Sequence, residues 1–184
     1  MEDAIEFYKK AKKISDSILP LAKKMVKEGA RILDIAETIE KEIVERGGKP
    51  AFPVNISLNN IAAHYTPDVE DSRILEKGDL VKVDYGVHVN GYIWDRAFSV
   101  IVGEKKNVLI EACEKAVEEA IKIVKPGVMV KEISEVISSV LKEFEVSPVI
   151  NLCGHGLQRF VTHAPPNIPC VLNDDKTVLE EGKV

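Results

Sequence analysis

The chain has 184 residues, of which 45% are hydrophobic and 30% are charged, and its formal net charge is -5. Folding at this length removes roughly 70% of the surface of the unfolded chain, which is enough for a real core, so a single domain over residues 1–184 is predicted. The ordinary composition and negative charge argue against nucleic acid as the principal ligand, because they provide no basic patch for a phosphate backbone.

Neither the amino terminus nor the cysteines indicate secretion. Residues 1–25 distribute charge throughout and contain no continuous apolar run, so neither a signal peptide nor a membrane anchor is predicted. Cys113, Cys153 and Cys170 are odd in number and form no C-x-x-C pair, which argues against a disulfide framework and a zinc knuckle. A cytoplasmic protein that does not associate with membranes is expected.

Two amphipathic helices are predicted in the first quarter of the chain. The first covers residues 2–27, and Pro20 is expected to bend or divide it because proline has no amide hydrogen to donate. Asp34 is expected to cap the second helix, which should end at the Gly47-Gly48 pair. The apolar residues that these two helices should bury are Ile5, Ala11, Ile14, Ile18, Leu21, Met25, Ile35, Ile39 and Ile43.

Two strands joined by a tight turn follow. Residues 79–89 and 92–102 are rich in β-branched side chains, as strands are. Asn90-Gly91 between them is the strongest short-range signal for a hairpin. A two-residue turn would pair Val89 with Tyr92 and fix the register of the whole hairpin.

This register would place two carboxylates together. Gly86 would pair with Asp95, and Asp84 shares a face with Gly86, so Asp84 and Asp95 should be diagonal neighbours roughly 7 Å apart, with open space over Gly86. Two ionised carboxylates on apolar strands repel, and a pair of divalent metal ions is the natural partner. The alternatives are an exposed face where acids meet lysines, or a three-residue turn that reverses the parity.

The second half of the chain repeats features of the first. A third helix is predicted over residues 108–124, and a fourth should begin after Pro126-Gly127. Residues 26–52 also resemble residues 124–150 at a constant offset of about 98, which indicates an internal repeat and two α+β halves related by a pseudo-twofold axis. The side chains that the fourth helix should bury are Ile133, Val136, Ile137 and Val140.

Three of the four histidines lie in sequences typical of loops, where functional residues are common. These are His64, His155 and His163. His155 lies between two glycines, which either present its imidazole to a metal or mark a structural turn. His88 shares the face of Asp84 but adjoins the turn, and it is interpreted as solvent-facing. The acidic residues interpreted as caps and surface charges are Asp68, Asp71 and Asp79.

Four ordered motifs resemble the type 2 methionine aminopeptidases, the archaeal and eukaryotic branch of the pita-bread (creatinase/aminopeptidase) metallopeptidases. They are Ala51–Pro67 (AFPVNISLNNIAAHYTP), Asp84–Asp95 (DYGVHVNGYIWD), Asn151–His155 (NLCGH), and His163 with the following Ile168-Pro169. The resemblance implies an α+β pita-bread fold with pseudo-twofold related halves. It also implies an enzyme that removes the initiator methionine from nascent proteins by a metal-activated water.

The resemblance also implies residue roles. Asp84 would chelate one divalent ion, Asp95 would bridge two, and His155 would bind the other, with cobalt, manganese, iron and zinc all possible. His64 and His163 would contact the scissile peptide as catalytic and substrate-binding residues, and Phe52 would line the pocket for the methionine side chain. The implied partners are the amino termini of nascent polypeptides and the ribosome.

The chain departs from the family in two residues. The family uses a glutamate general base and a second, bridging glutamate, both beyond the position matched by Val184. The chain is therefore interpreted as one incomplete catalytic domain, inactive alone and completed by a complementing carboxyl-terminal segment. Prolidases and X-prolyl aminopeptidases share the spacing of the two aspartates, and the AHYTP segment distinguishes the chain from them. A noncatalytic pita-bread module that binds protein or RNA is the other alternative.

Overall fold

A computed structural model describes residues 2–104 and 106–184 and divides the chain into two compact units. Unit 1 comprises Met1–Lys105 and Arg159–Thr162, and unit 2 comprises Lys106–Gln158 and His163–Val184. Two compact units can belong to one domain, so the single-domain prediction stays a prediction. The element order is α1 (Glu2–Met25), α2 (Ile32–Glu45), β1 (Lys49–Pro50), β2 (Asn55–Leu58), β3 (Leu80–Val89), β4 (Tyr92–Ile101), α3 (Val108–Ile123), α4 (Val130–Glu143), β5 (Cys153–Gln158) and β6 (Val161–Pro169).

Unit 1 is an antiparallel sheet covered by two helices. β3 is its central strand: β4 pairs along one edge, and the short strands β1 and β2 share the other. α1 packs on β3 and β4, and α2 packs on α1 and on the short strands. The core between these layers is apolar, and its fully buried members include Ile18, Ile35, Ile39, Ile43, Ile56, Val81, Val83 and Val87.

α1 is a single helix of 24 residues that continues through Pro20, so Pro20 does not divide it, and a bend at this position stays a prediction. Ile18 and Ala22, on the two sides of the proline, are both 0% exposed. Burial of this face stabilises the helical path on both sides and offsets the missing backbone hydrogen bond. Ile5 is 50% exposed, so the buried stripe begins later than predicted.

α2 begins at Ile32 and has Arg31 at its N-cap, so the predicted cap at Asp34 is wrong. The Ile32 N–H donates to the carbonyl oxygen of Arg73 at 3.1 Å, and a distant loop therefore replaces the side-chain cap. Asp34 lies in the first turn, where its charge favours the positive end of the helix. The helix ends before Gly47, as predicted.

The β3–β4 turn has the predicted two-residue form, with Val89 opposite Tyr92. Asn90 and Gly91 have φ of 54° and 87°, the pattern of a type I′ turn. The tip of the β5–β6 hairpin, which belongs to unit 1, packs on this turn. The Phe160 N–H donates to the Gly91 carbonyl at 2.8 Å. A Cβ added at Gly91 would lie 2.5 Å from the Phe160 ring, so the contact requires glycine.

Unit 2 contains two packed helices and the larger part of a β-hairpin. The side chain of Asn107 caps α3 by accepting from the Leu109 N–H at 2.9 Å. α4 starts after Met129, whose N–H donates to the Glu132 carboxylate at 2.8 Å. Ile133 and Val140 are buried as predicted. Within the described residues, no helix has the length and apolarity that a membrane span requires.

Candidate functional site

Asp84 and Asp95 share one face of the β3–β4 hairpin, as predicted. The observed register places Asp95 opposite Gly86 and Asp84 opposite Ala97. Val83 and Tyr85, which alternate with these residues, are 0% exposed and point into the core. Asp84 and Asp95 therefore point away from the core, and both are half-buried. We call the side that carries Asp84, Gly86 and Asp95 the acidic face.

The acidic face also carries an aromatic ring, so the predicted open space over Gly86 is wrong. A Cβ added at Gly86 would lie 2.5 Å from Phe52 Cε1 and 2.8 Å from Ala51 Cβ. The Ala51 N–H donates to the Gly86 carbonyl at 2.9 Å and aligns this segment with β3. Glycine at position 86 thus allows the Phe52 ring to lie against β3. Gly86 lies opposite Asp95 and two residues from Asp84, so the ring adjoins both carboxylate positions on this face.

His88 is bound to the turn. Its Nδ1 accepts from the Gly91 N–H at 3.1 Å, and its ring meets the edge of Phe160 with centroids 5.6 Å apart. Burial, with a contribution from the charge of Lys49, lowers the pKa of His88 below its usual value. The prediction that His88 adjoins the turn is confirmed, but its side chain is half-buried and not directed wholly to solvent.

His64 lies on an exposed loop that runs beside β2. Its φ is 63°, in the left-handed region. The next residue, Tyr65, accepts the Ile56 N–H at 2.7 Å through its carbonyl, and the hydroxyl of Thr66 donates to Asn55 Oδ1 at 2.6 Å. Asn55 pairs directly with Asp84 in the sheet. The segment that follows His64 is therefore attached next to the acidic face.

Asp71 is a buried member of this loop, and its interpretation as a surface charge is wrong. Asp71 is 8% exposed and accepts a hydrogen bond from the Tyr65 hydroxyl. Sequence reasoning missed it because its partners come from separate positions along the chain. Asp68 and Asp79 match their interpretation as caps, since each accepts a backbone N–H of the same loop, from Glu70 and Glu76 respectively.

His155 and His163 lie together on strands of unit 2, on β5 and β6, and not in the loops that their sequences suggest. Their ring centroids are 4.4 Å apart and the rings are nearly perpendicular, with an interplanar angle of 83°. A Cβ added at Gly156 would lie 2.8 Å from the carbonyl oxygen of Pro165. The glycine beside His155 therefore allows close approach of the neighbouring strand.

The donor types of the predicted ligands suit divalent metal ions. Carboxylate oxygens and imidazole nitrogens bind zinc, manganese, iron and cobalt. Unit 1 presents the carboxylates of Asp84 and Asp95 on one face, and unit 2 presents the imidazoles of His155 and His163. Among residues 2–104 and 106–184, no three His, Cys, Asp or Glu side chains are grouped so that they could hold a metal ion. The ligand set stays a prediction.

The sequence is similar to metallopeptidases over nearly its whole length. Residues 6–184 match the profile of Metallopeptidase family M24. The chain is 44% identical over 185 residues to the methionine aminopeptidase of Pyrococcus horikoshii, which covers 100% of this chain and 61% of that protein. It is also 44% identical over 180 residues to that of Methanothermus fervidus, covering 91% of this chain and 96% of the relative. The chain thus spans about three fifths of the Pyrococcus relative.

Solved structures share the fold. The methionine aminopeptidase of Thermotoga maritima superposes with a TM-score of 0.91 at 26% identity, covering 100% of this chain and 77% of that one. The prolidase of Pyrococcus furiosus superposes with a TM-score of 0.86 at 28% identity, and the match covers 99% of this chain and 54% of that one. These similarities confirm the predicted α+β pita-bread fold.

Proposed function

Because the chain belongs to metallopeptidase family M24, we propose that it supplies the larger part of a methionine aminopeptidase catalytic domain. The identity of 44% to a methionine aminopeptidase along the whole chain carries this proposal. The substrate would be the amino terminus of a nascent protein, and the product would be free methionine. We place the reaction in the cytoplasm and include the ribosome as a partner, since nascent amino termini emerge there.

Asp84, Asp95 and His155 are the proposed metal ligands. In this assignment Asp84 and Asp95 would hold divalent ions through their carboxylate oxygens, and His155 would hold one through a ring nitrogen. A bound metal pair lowers the pKa of a water molecule and polarises the substrate carbonyl. The half-buried state of both aspartates supports the assignment, because carboxylates partly removed from water interact strongly with a cation.

Phe52 is the proposed contact for the methionine side chain. Its ring lies against Gly86 on the same side as the two carboxylates, so an apolar surface adjoins the proposed metal ligands. A thioether gains favourable contacts with an aromatic ring, which suits methionine. His64 and His163 would contact the scissile peptide and donate hydrogen bonds to its oxygen as charge develops there.

A complementing carboxyl-terminal segment is proposed to supply the two glutamates of the family. One would take the proton of the attacking water, and the other would bridge the metal ions. Without them the 184-residue chain should bind metal weakly, because the positive charge of two ions is poorly compensated.

The test uses the chain alone and mixed with the part of the Pyrococcus horikoshii relative that it does not match. We expect weak binding of manganese or cobalt by calorimetry for the chain alone, and negligible hydrolysis. The mixture should bind two ions and release methionine from peptides with a small second residue. Cleavage before proline without release of methionine would assign the chain to prolidases. Absence of hydrolysis and of metal binding in a folded mixture would favour the noncatalytic module.

A further inference from the structure

The backbone of His64 has a left-handed conformation. Its φ of 63° lies in the left-handed region, which residues other than glycine occupy at an energetic cost. The side chain is exposed, so packing of the imidazole in a core does not maintain it. Strained backbone of this kind persists where the surrounding structure fixes it, often at functional sites. The hydrogen bonds of the residues that follow His64 provide such a surrounding structure.

The main chain is anchored immediately after His64. The carbonyl of Tyr65 accepts the Ile56 N–H at 2.7 Å, which joins the loop to the edge of β2. The Thr66 hydroxyl adds a second attachment at Asn55. Two consecutive residues are thus fixed to one strand, and the direction in which the chain leaves His64 is set by them.

The side chain of Tyr65 attaches the loop both to the core and to a buried carboxylate. Its ring packs against the core of unit 1, and its hydroxyl donates to Asp71 Oδ2 at 2.5 Å. Asp71 Oδ1 accepts the Arg73 N–H at 3.0 Å. The guanidinium carbon of Arg73 lies 4.1 Å from the centre of the Tyr65 ring, in cation–π contact. Arg31 Nε donates to the Asp71 carbonyl at 2.8 Å and joins this cluster to α2.

The charge of Asp71 is well compensated. The Asp71 side chain is only 4% exposed. Burial would raise the pKa of this carboxyl, but the hydrogen bonds from Tyr65 and Arg73 and the charges of Arg73 and Arg31 lower it below its usual value. The same hydrogen bond raises the pKa of the Tyr65 hydroxyl. At neutral pH the Asp71 carboxylate is therefore ionised, and the Tyr65 phenol is neutral and donates its proton to the hydrogen bond between them.

We propose that Tyr65 and Asp71 are positioning residues that hold His64 in its left-handed conformation beside the acidic face. Tyr65 links the buried carboxylate to the backbone next to His64. Its hydroxyl donates to Asp71, and its carbonyl accepts from β2, so the position of its main chain is fixed. The proposal rests on the substrate-side role of His64 in the proposed function. Its first test is independent of activity.

The first test is nuclear magnetic resonance on the 184-residue chain, with Tyr65→Phe as the principal variant and Asp71→Asn as the second. The Ile56 amide reports the bond to Tyr65, and its hydrogen exchange should accelerate roughly tenfold, the scale of one lost hydrogen bond. The ring signals of His64 should shift, while those of His88 stay unchanged. Tyr92→Phe, which removes a hydroxyl at the far end of the hairpin, is the matched control and should change neither readout.

Three results would overturn the proposal. In the first, Ile56 exchange and the His64 signals are the same in both variants as in the unsubstituted chain. In the second, the amide of Val83 in the core exchanges faster by the same factor as Ile56, and in the third, Tyr65→Phe does not fold; both would mean a general structural role. None of these results would affect the proposed aminopeptidase function.

The second test uses the complemented enzyme and a double-mutant cycle. Tyr65→Phe should lower kcat/KM, and adding it to His64→Ala should produce no further loss, because both changes remove the same interaction. Additive losses would contradict positioning through His64. If the complemented enzyme hydrolyses no peptide, the proposed function fails, and the resonance experiment still decides whether the pair holds His64.

Discussion

Gly47 and Glu145 both have positive φ at the same place in their units. Each follows the C-cap of a 14-residue helix, and their φ angles are 84° and 56°. The Gly47 N–H donates to the Val44 carbonyl and the Glu145 N–H to the Lys142 carbonyl, both at 3.0 Å. Corresponding bonds thus recur at the offset of the predicted repeat. Duplication of the segment stays a prediction, but the two helix exits are built alike.

This relationship predicts opposite effects of two substitutions. Left-handed backbone is unfavourable for a residue with a Cβ, so Glu145→Gly should raise the free energy of unfolding by up to about 1 kcal/mol. Gly47→Ala should lower it by about 1 kcal/mol. No atom lies within 4 Å of a Cβ added at Gly47, so the loss would reflect conformation and not a clash. Urea denaturation of both variants measures the effects, and equal signs would contradict the prediction.

The contact between Gly86 and Phe52 predicts a steric coupling. Gly86→Ala should displace the ring and lower the free energy of unfolding by about 1–3 kcal/mol, the usual range for overpacking. In a chain that already carries Phe52→Ala, Gly86→Ala should be less costly, because the clash with the ring is absent and only the contact with Ala51 Cβ remains. Chemical denaturation of the two single variants and the double variant gives the coupling energy. Additive losses would mean that the ring does not rest on Gly86.

The lowered pKa of His88 predicts that the free energy of unfolding depends on pH. Its pKa in the folded chain is lowered, so the unfolded chain binds the proton more readily. The stabilising contribution is complete above the unfolded pKa of about 6.5 and is lost as the pH falls from there towards the folded value. His88→Asn keeps a polar acceptor without titrating and should lose less stability between pH 8 and pH 5. Parallel pH profiles for the two proteins would refute the assignment.

The proposed roles of His64 and His155 predict opposite patterns in the complemented enzyme. His64→Ala should lower kcat/KM by roughly 10² to 10³, the scale of one lost transition-state donor, with metal content unchanged. His155→Ala should lose metal. Metal stoichiometry and kinetics on both variants separate the roles. A folded His64→Ala variant without metal would show that the division between ligand and substrate histidines is wrong.

Local signals in the sequence were sufficient for much of the fold. The Asn90-Gly91 turn determines its own conformation and, through the alternation of side chains, the face shared by Asp84 and Asp95. The end of α2 before Gly47 and the start of α3 after Asn107 likewise depend on nearby residues. These features were predictable because each is decided within a few positions along the chain.

Features that depend on distant partners were not predictable. α2 begins two residues before Asp34, where the Ile32 N–H is satisfied by the Arg73 carbonyl of a loop about forty positions away, and burial stabilises α1 through Pro20. The Phe52 ring over Gly86 and the burial of Asp71 likewise arise from packing between segments. His155 has glycine neighbours that look like loop residues in sequence, although they serve close contact between strands.

The packing of Phe160 on Gly91 has a consequence for protein engineering. Exposed loop tips with small or polar residues are common choices for inserting an epitope tag or relocating chain termini, because such sites usually tolerate interruption. Here the turn is the binding surface for another segment: Arg159 Nε donates to the Asn90 carbonyl, and Phe160 covers Gly91. An insertion at this turn would therefore detach a second segment as well as lengthen the first, and reporter fusions should be placed elsewhere.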